Sequence, residues 1–202
     1  MTMVNSRAAD HPIDPLFLQR WSPRAFTAEP ISERELFTLF EAARWAPSSF
    51  NSQPWRFLYA RRDTEHWPQF LDLLNAFNQS WARNAAALII LVSKTTLLPT
   101  GTDREVPSHT HSLDAGAAWA HLALQATRLG WAAHGMAGFD SPRAAAELGV
   151  PPDHRVEAAI AIGKPGDKAI LPDALRGREH PSGRLPLSEL VREGRFDRLP
   201  RL

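Results

Sequence analysis

Apolar positions along this 202-residue chain change period several times, and each change marks an element. Between Ile31 and Trp45, Leu36, Leu39, Phe40 and Ala43 recur at helical spacing, which predicts an amphipathic helix. Ser32 followed by Glu35 makes a capping box at its start, and Pro47 stops it. From Trp55 to Ala60, Trp55, Phe57 and Tyr59 alternate with residues such as Arg56, the period of a strand. Thr64 to Phe77, with Phe70, Leu71, Leu74 and Phe77, reads as one amphipathic helix. The apolar run Ala85 to Val92 predicts a buried strand. Ser112 to Gly130 is a long Ala- and Leu-rich helix, apolar around much of its girth, as in a core or a subunit interface.

Shorter signals fill the gaps. Asp14 to Gln19 predicts a short helix, Leu97 to Pro107 a loop, and Ala132 to Ala137 a short strand. Ser141-Pro142 would cap a helix running to Leu148, and Val156 to Ile162 would form a strand. Beyond Pro165, Pro, Gly and Arg dominate, with one weak apolar patch from Leu185 to Val191. Such a segment cannot bury a core of its own, so 166–202 should lie across the body of the domain or across a partner subunit. Interleaved helices and strands without repeats predict a single α/β or α+β domain over 1–202.

Composition narrows the function. Lys and Arg number 23 against 22 Asp and Glu, so a nucleic-acid partner is not expected and any anion bound should be small. Cysteine is absent, which excludes disulfides, thiolate nucleophiles and iron–sulfur ligation within the chain. Residues Met1 to Pro12 lack the apolar core of a signal peptide, and Ala85 to Val92 is too short to span a bilayer. A cytoplasmic protein without membrane contact is expected. Dinucleotide-binding, P-loop and nucleophile-elbow glycine motifs are all missing. His109 and His111, with Asp103, Glu105 and Asp114 nearby, offer metal-ligand chemistry. A polar loop entering a helix, capped by Ser108 or Ser112, accounts for them better, and no metal is expected. Trp119 and Trp131 read as packing or dimer contacts.

Two polar strings flank the Ile31 to Trp45 helix. Arg20-Trp21-Ser22-Pro23-Arg24-Ala25-Phe26 offers two guanidinium groups and a hydroxyl, suited to a phosphate and a polar ring edge. Pro47-Ser48-Ser49-Phe50-Asn51-Ser52-Gln53-Pro54-Trp55 is a proline-bracketed loop of small hydroxyl and amide side chains, able to bond a flat heterocycle. Singly, each string reads as surface ion pairs or a solvated turn. Together, in this order, they point to a flavin site.

The two strings resemble those of the nitroreductase family of FMN-dependent oxidoreductases. Gly135-Met136-Ala137-Gly138-Phe139-Asp140 and Arg184-Leu185-Pro186-Leu187 continue the resemblance. It implies an α+β fold, an α/β/α sandwich with a mainly antiparallel sheet flanked by helices, assembled as an intertwined homodimer with an FMN at each of two sites. It further implies that Arg20, Trp21, Ser22 and Arg24 hold the phosphate and the pyrimidine edge, with Arg184 clamping the phosphate. Pro47, Ser48, Ser49 and Asn51 would come from the other subunit. Asn78 would face the flavin or the nicotinamide, and Met136, Ala137 and Gly138 would present backbone to the ring's N5 edge. Trp81 stands where a basic residue is expected, with Arg83 two residues on, and Ser182 replaces a Lys. Transfer of hydride needs no general base, so no catalytic side chain is named. The implied activity is ping-pong transfer of hydride from NADH or NADPH to nitroaromatics or quinones, small-molecule electron acceptors. Ene-reduction, dehydrogenation, or a flavin-binding dimer without turnover are the alternatives.

Overall fold

The computed structural model describes residues 6–196. Eight helices and six strands occur among them: α1 (Pro15–Gln19), α2 (Glu33–Arg44), β1 (Trp55–Arg61), α3 (Trp67–Asp72), α4 (Ala76–Ala82), β2 (Ala87–Lys94), β3 (Thr96–Leu97), β4 (Val106–Pro107), α5 (His111–Arg128), β5 (Ala132–Met136), α6 (Ser141–Glu147), β6 (His154–Gly163), α7 (Asp173–Arg176) and α8 (Leu187–Leu190). Four strands form one antiparallel sheet in the order β1-β2-β6-β5. This α+β arrangement agrees with the sequence expectation, and among the described residues no helix is long and apolar enough to cross a membrane.

The period-2 pattern of β2 sorts its side chains onto two faces. Ala87, Ile89 and Leu91 pack with α2 and α5, while Leu88, Ile90 and Val92 join Phe70, Trp81 and the segment around Phe26. Every residue from Ala87 to Ser93 is buried, because helices cover both faces of the sheet. α2 begins with the capping box read from the sequence: Glu35 N–H donates to Ser32 Oγ at 3.2 Å, and Ser32 N–H donates to Glu35 Oε2 at 3.1 Å.

Three local expectations need correction. The helix expected from Thr64 to Phe77 is two, α3 and α4, broken at Leu74 and Asn75. The break is paid back in pairing: Asn75 N–H donates to Gly138 O, Asp140 N–H to Leu73 O, and Asn75 Oδ1 accepts from Asn78 N–H to cap α4. The loop from Leu97 to Pro107 contains the small β3–β4 ladder, and its Thr96 lies just before the expected start. The caps differ as well. Asp140, not Ser141, caps α6, and Thr110 precedes α5 without a side-chain cap, since Ser112 Oγ donates to Glu157 instead.

The segment after Pro165 divides. Leu171, Leu175 and Glu179 are buried against the body, whereas Leu185, Leu187, Leu190 and Val191 are exposed.

Candidate functional site

The Arg20 string leaves α1 in extended form and is anchored at its far end. Phe26 bridges to Pro165, and its ring packs on Gly163 so closely that a Cβ there would lie 2.5 Å from it. Between these points the backbone is gripped from both sides. His134 of β5 donates through Nδ1–H to Pro23 O at 2.9 Å. Glu179 Oε1, from the segment after β6, accepts from Arg24 N–H at 2.7 Å and from Ala25 N–H at 2.8 Å. Because a carbonyl only accepts, the His134 contact fixes its tautomer.

This strip opens into two adjoining cavities. One, of about 470 Å³, is lined by Arg20, Trp21, Ser22 and Arg24 together with Arg7, His134, Arg178, His180, Ser182 and Arg184. The other, of about 710 Å³, shares Arg20, Ser22 and Arg184 and continues over Met136, Ala137, Gly135, Trp119 and Ala123. A cationic end thus runs into a broad apolar slab. Gly135 makes the slab possible, because a Cβ there would meet the Trp119 ring at 3.2 Å.

The charges at the cationic end strain against one another. Burial, then the nearby Arg7 and Arg184, pull the Arg20 guanidinium below its ordinary value. Burial does the same to Arg24; Glu179 opposes that shift and Arg178 adds to it. Arg24 Nε is buried and finds no hydrogen-bond partner among the described residues. Burial pushes His134 down to about 4, so it is neutral at physiological pH. A small dianion entering here would relieve the crowding and supply the missing acceptors. The donor set therefore fits a phosphate carried on a flat ring that extends over the slab.

Other residues singled out from the sequence take distinct places. Asn78 is nearly buried and donates through Nδ2 to Gly138 O at 2.9 Å, so it braces the strand end that carries Met136 and Ala137. Trp81 belongs to the core, with its ring centroid 4.6 Å from that of His134. Arg83 caps the end of α4 and lines neither cavity. Ser182 does line the cationic one; its carbonyl accepts from Arg7 Nε at 2.8 Å and its hydroxyl from Arg184 Nη1 at 3.2 Å. Arg7 also donates to Leu18 O and Arg20 O, which ties the chain's beginning to both α1 and the Ser182 segment.

Pro47, Ser48, Ser49 and Asn51 line neither cavity. Their loop sits on the start of α5, where Ser49 N–H donates to Asp114 Oδ2 at 3.2 Å. Phe50, Asn51 and Gln53 all have left-handed backbone, with φ of 52°, 52° and 47°, and Phe50 is 76% exposed. Backbone strain of about 1–3 kcal/mol per such residue is kept where the loop shape is needed. One chain therefore assembles Arg20, Ser22, Arg24 and Arg184 with Met136 and Ala137, and presents the second string elsewhere.

His109 is exposed, whereas His111 is half-buried. His111 Nδ1 lies 2.7 Å from Ser93 Oγ, which donates to Glu157 Oε1 at 2.5 Å, so a polar cluster holds α5 to β6. Among the described residues no group of three or more His, Asp or Glu could hold a metal ion.

Arg7, His134, Arg178 and Glu179 were not legible as site residues. His134, Arg178 and Glu179 reach the Arg20 strip from distant parts of the chain, Arg7 from thirteen residues before Arg20, and none carries a local motif.

Comparisons with known proteins bear on the family and the fold. The family model described as the nitroreductase family matches residues 17–80 and 61–164. A crystal structure of an oxidoreductase containing FMN superposes with a TM-score of 0.92 at 50% identity, covering 98% of this chain and 99% of the other. A protein from Exiguobacterium sibiricum, assigned as a nitroreductase and solved in complex with FMN, gives a TM-score of 0.73 at 25% identity, covering 93% and 100% of the two chains. An NADH dehydrogenase of Thermus thermophilus is 28% identical over 203 residues, spanning 86% of this chain and 92% of the relative.

Proposed function

The chain belongs to the nitroreductase family, and on that premise we propose that it is an FMN-dependent oxidoreductase. It would pass hydride from NADH or NADPH to flat electrophiles such as nitroaromatics and quinones in two alternating half-reactions. The observation that carries this reading is the cationic cavity around Arg20, Arg24 and Arg184 opening onto the apolar slab of Trp119, Met136 and Ala137.

In this reading Arg20 and Arg184 hold the phosphate of FMN, with Ser22 and Trp21 beside them. Charge-assisted bonds to a dianion are the natural use of guanidinium groups crowded in this way. Arg24 sits at the pyrimidine edge, where a cation favours the reduced ring. When bound, FMN supplies the ring that accepts hydride from one substrate and delivers it to the next. The Met136 to Gly138 backbone borders the ring's reactive edge, and Asn78 keeps it in place through Gly138 O. Trp119 and Ala123 keep water from the slab and offer a flat wall against which an acceptor can stack. No side chain is assigned a proton-abstracting role.

Pro47, Ser48, Ser49 and Asn51 complete the site of a second copy, so the active form is a homodimer. Their distance from the cavities of their own chain supports this, as does the exposure of Phe50. The test is titration of the purified protein with FMN, followed by an assay of NADH- or NADPH-dependent quinone reduction. Failure to bind FMN would end the reading.

A further inference from the structure

Glu179 is a carboxylate at 2% exposure, contributed by the segment after β6, and it sits behind the cationic cavity, bonded to the backbone of the lining residue Arg24. It lies there for a reason the backbone reveals. Its Oε1 takes both the Arg24 and the Ala25 N–H groups, at 2.7 and 2.8 Å. These adjacent donors take no main-chain acceptor among the described residues, although Ala25 O itself accepts from Gly166 N–H, and an unmet buried N–H is costly. The other oxygen, Oε2, is buried and finds no partner among the described residues, and neither does Arg24 Nε. A neutral amide could accept the same two N–H groups without burying a charge. The carboxylate therefore does something beyond satisfying the backbone.

Accepting the flavin reading, we propose that Glu179 is a positioning residue of the FMN site, which fixes the Arg24 backbone and sets the net charge beside the pyrimidine edge. Two links follow. Mechanically, Glu179 joins the Arg20 strip to the segment that also carries Ser182 and Arg184, and Arg7 bridges the same two stretches farther along by donating to Ser182 O and to Arg20 O. Arg24 and Arg184 are thus mounted on two stretches of chain held together by the buried Glu179 carboxylate at one end and by Arg7 at the other. Electrostatically, Glu179 partly offsets the Arg24 cation, the same pairing that opposes the downward shift of Arg24. A cation near the reduced ring raises the flavin potential, so a compensating anion lowers it.

The experiment compares wild type with Glu179→Gln and Glu179→Ala, using FMN affinity by fluorescence titration and the midpoint potential of the bound flavin by dye equilibration. Glu179→Gln keeps the acceptor and removes the charge: FMN affinity should stay within about threefold, with the potential shifted positive. Glu179→Ala removes both, and the FMN dissociation constant should rise about tenfold or more. Wild-type affinity in Glu179→Ala, or an unmoved or more negative potential in Glu179→Gln, would overturn the proposal. If Glu179→Ala does not fold, the potential of Glu179→Gln decides alone. A wild-type protein that binds no FMN would instead overturn the flavin reading, which separates the two failures.

Discussion

Asn78 Nδ2 lies 2.9 Å from the Gly138 carbonyl, and a Cβ added to Gly138 would lie 2.7 Å from that same nitrogen and 2.5 Å from Asn75 Nδ2. The glycine is required by close approach. Gly138→Ala should push both amides aside, loosening the α4 cap and the strand end that borders the proposed ring edge. Overpacking of this kind costs about 1–3 kcal/mol. Chemical denaturation should show that loss, together with weaker FMN binding.

Arg20→Ala should weaken FMN binding by about 1.5–3 kcal/mol, the range for a hydrogen bond to a charged group. The fold should tolerate the change, because burial and the nearby Arg7 and Arg184 already disfavour the charge when no anion is present. Fluorescence titration measures the affinity. An unchanged value would remove Arg20 from the site.

His134 makes stability depend on pH. Its folded value is about 4 against an ordinary 6.5, held down by burial first. The unfolded chain takes up a proton that the native fold excludes, so stability present above pH 6.5 is lost as pH falls toward 4. The full effect is at most about 3 kcal/mol. Denaturant midpoints of FMN-free protein should fall between pH 7 and pH 4.5. Glu35, Glu41 and Asp153 are shifted downward from carboxylate values and act at lower pH. His134→Gln keeps a donor for Pro23 O and should flatten the slope.

Much of this arrangement was legible from residues close in sequence. The capping box at Ser32 and Glu35, the apolar run of β2 and the helical spacing of α5 each act locally, so each could be read. What escaped was non-local. The break at Leu74 and Asn75 exists because that backbone pairs with Gly138 and Asp140, more than sixty residues away. Glu179 and Arg7 carry no motif, since their partners are main-chain atoms of the Arg20 strip. The roles of Pro47, Ser48, Ser49 and Asn51 rest on resemblance, and the left-handed backbone of Phe50, Asn51 and Gln53 in the same loop cannot be read from residue type alone.

The two strings should belong to different sites of one dimer. Asn51→Ala should weaken FMN binding although Asn51 lines neither cavity of its own chain. Chains carrying Arg20→Ala and chains carrying Asn51→Ala, refolded together, should regain tight binding at one site per mixed dimer. Sedimentation should give an FMN-bound species of twice the 22.5 kDa chain mass. A stable FMN-bound monomer would contradict the arrangement.

The most direct measurement mixes FMN-loaded protein anaerobically with NADH or NADPH, then with a quinone. The flavin absorbance should bleach in the first step and return in the second, each within the time of a turnover. Bound flavin that neither nicotinamide bleaches would contradict the assignment of this chain as an NAD(P)H oxidoreductase.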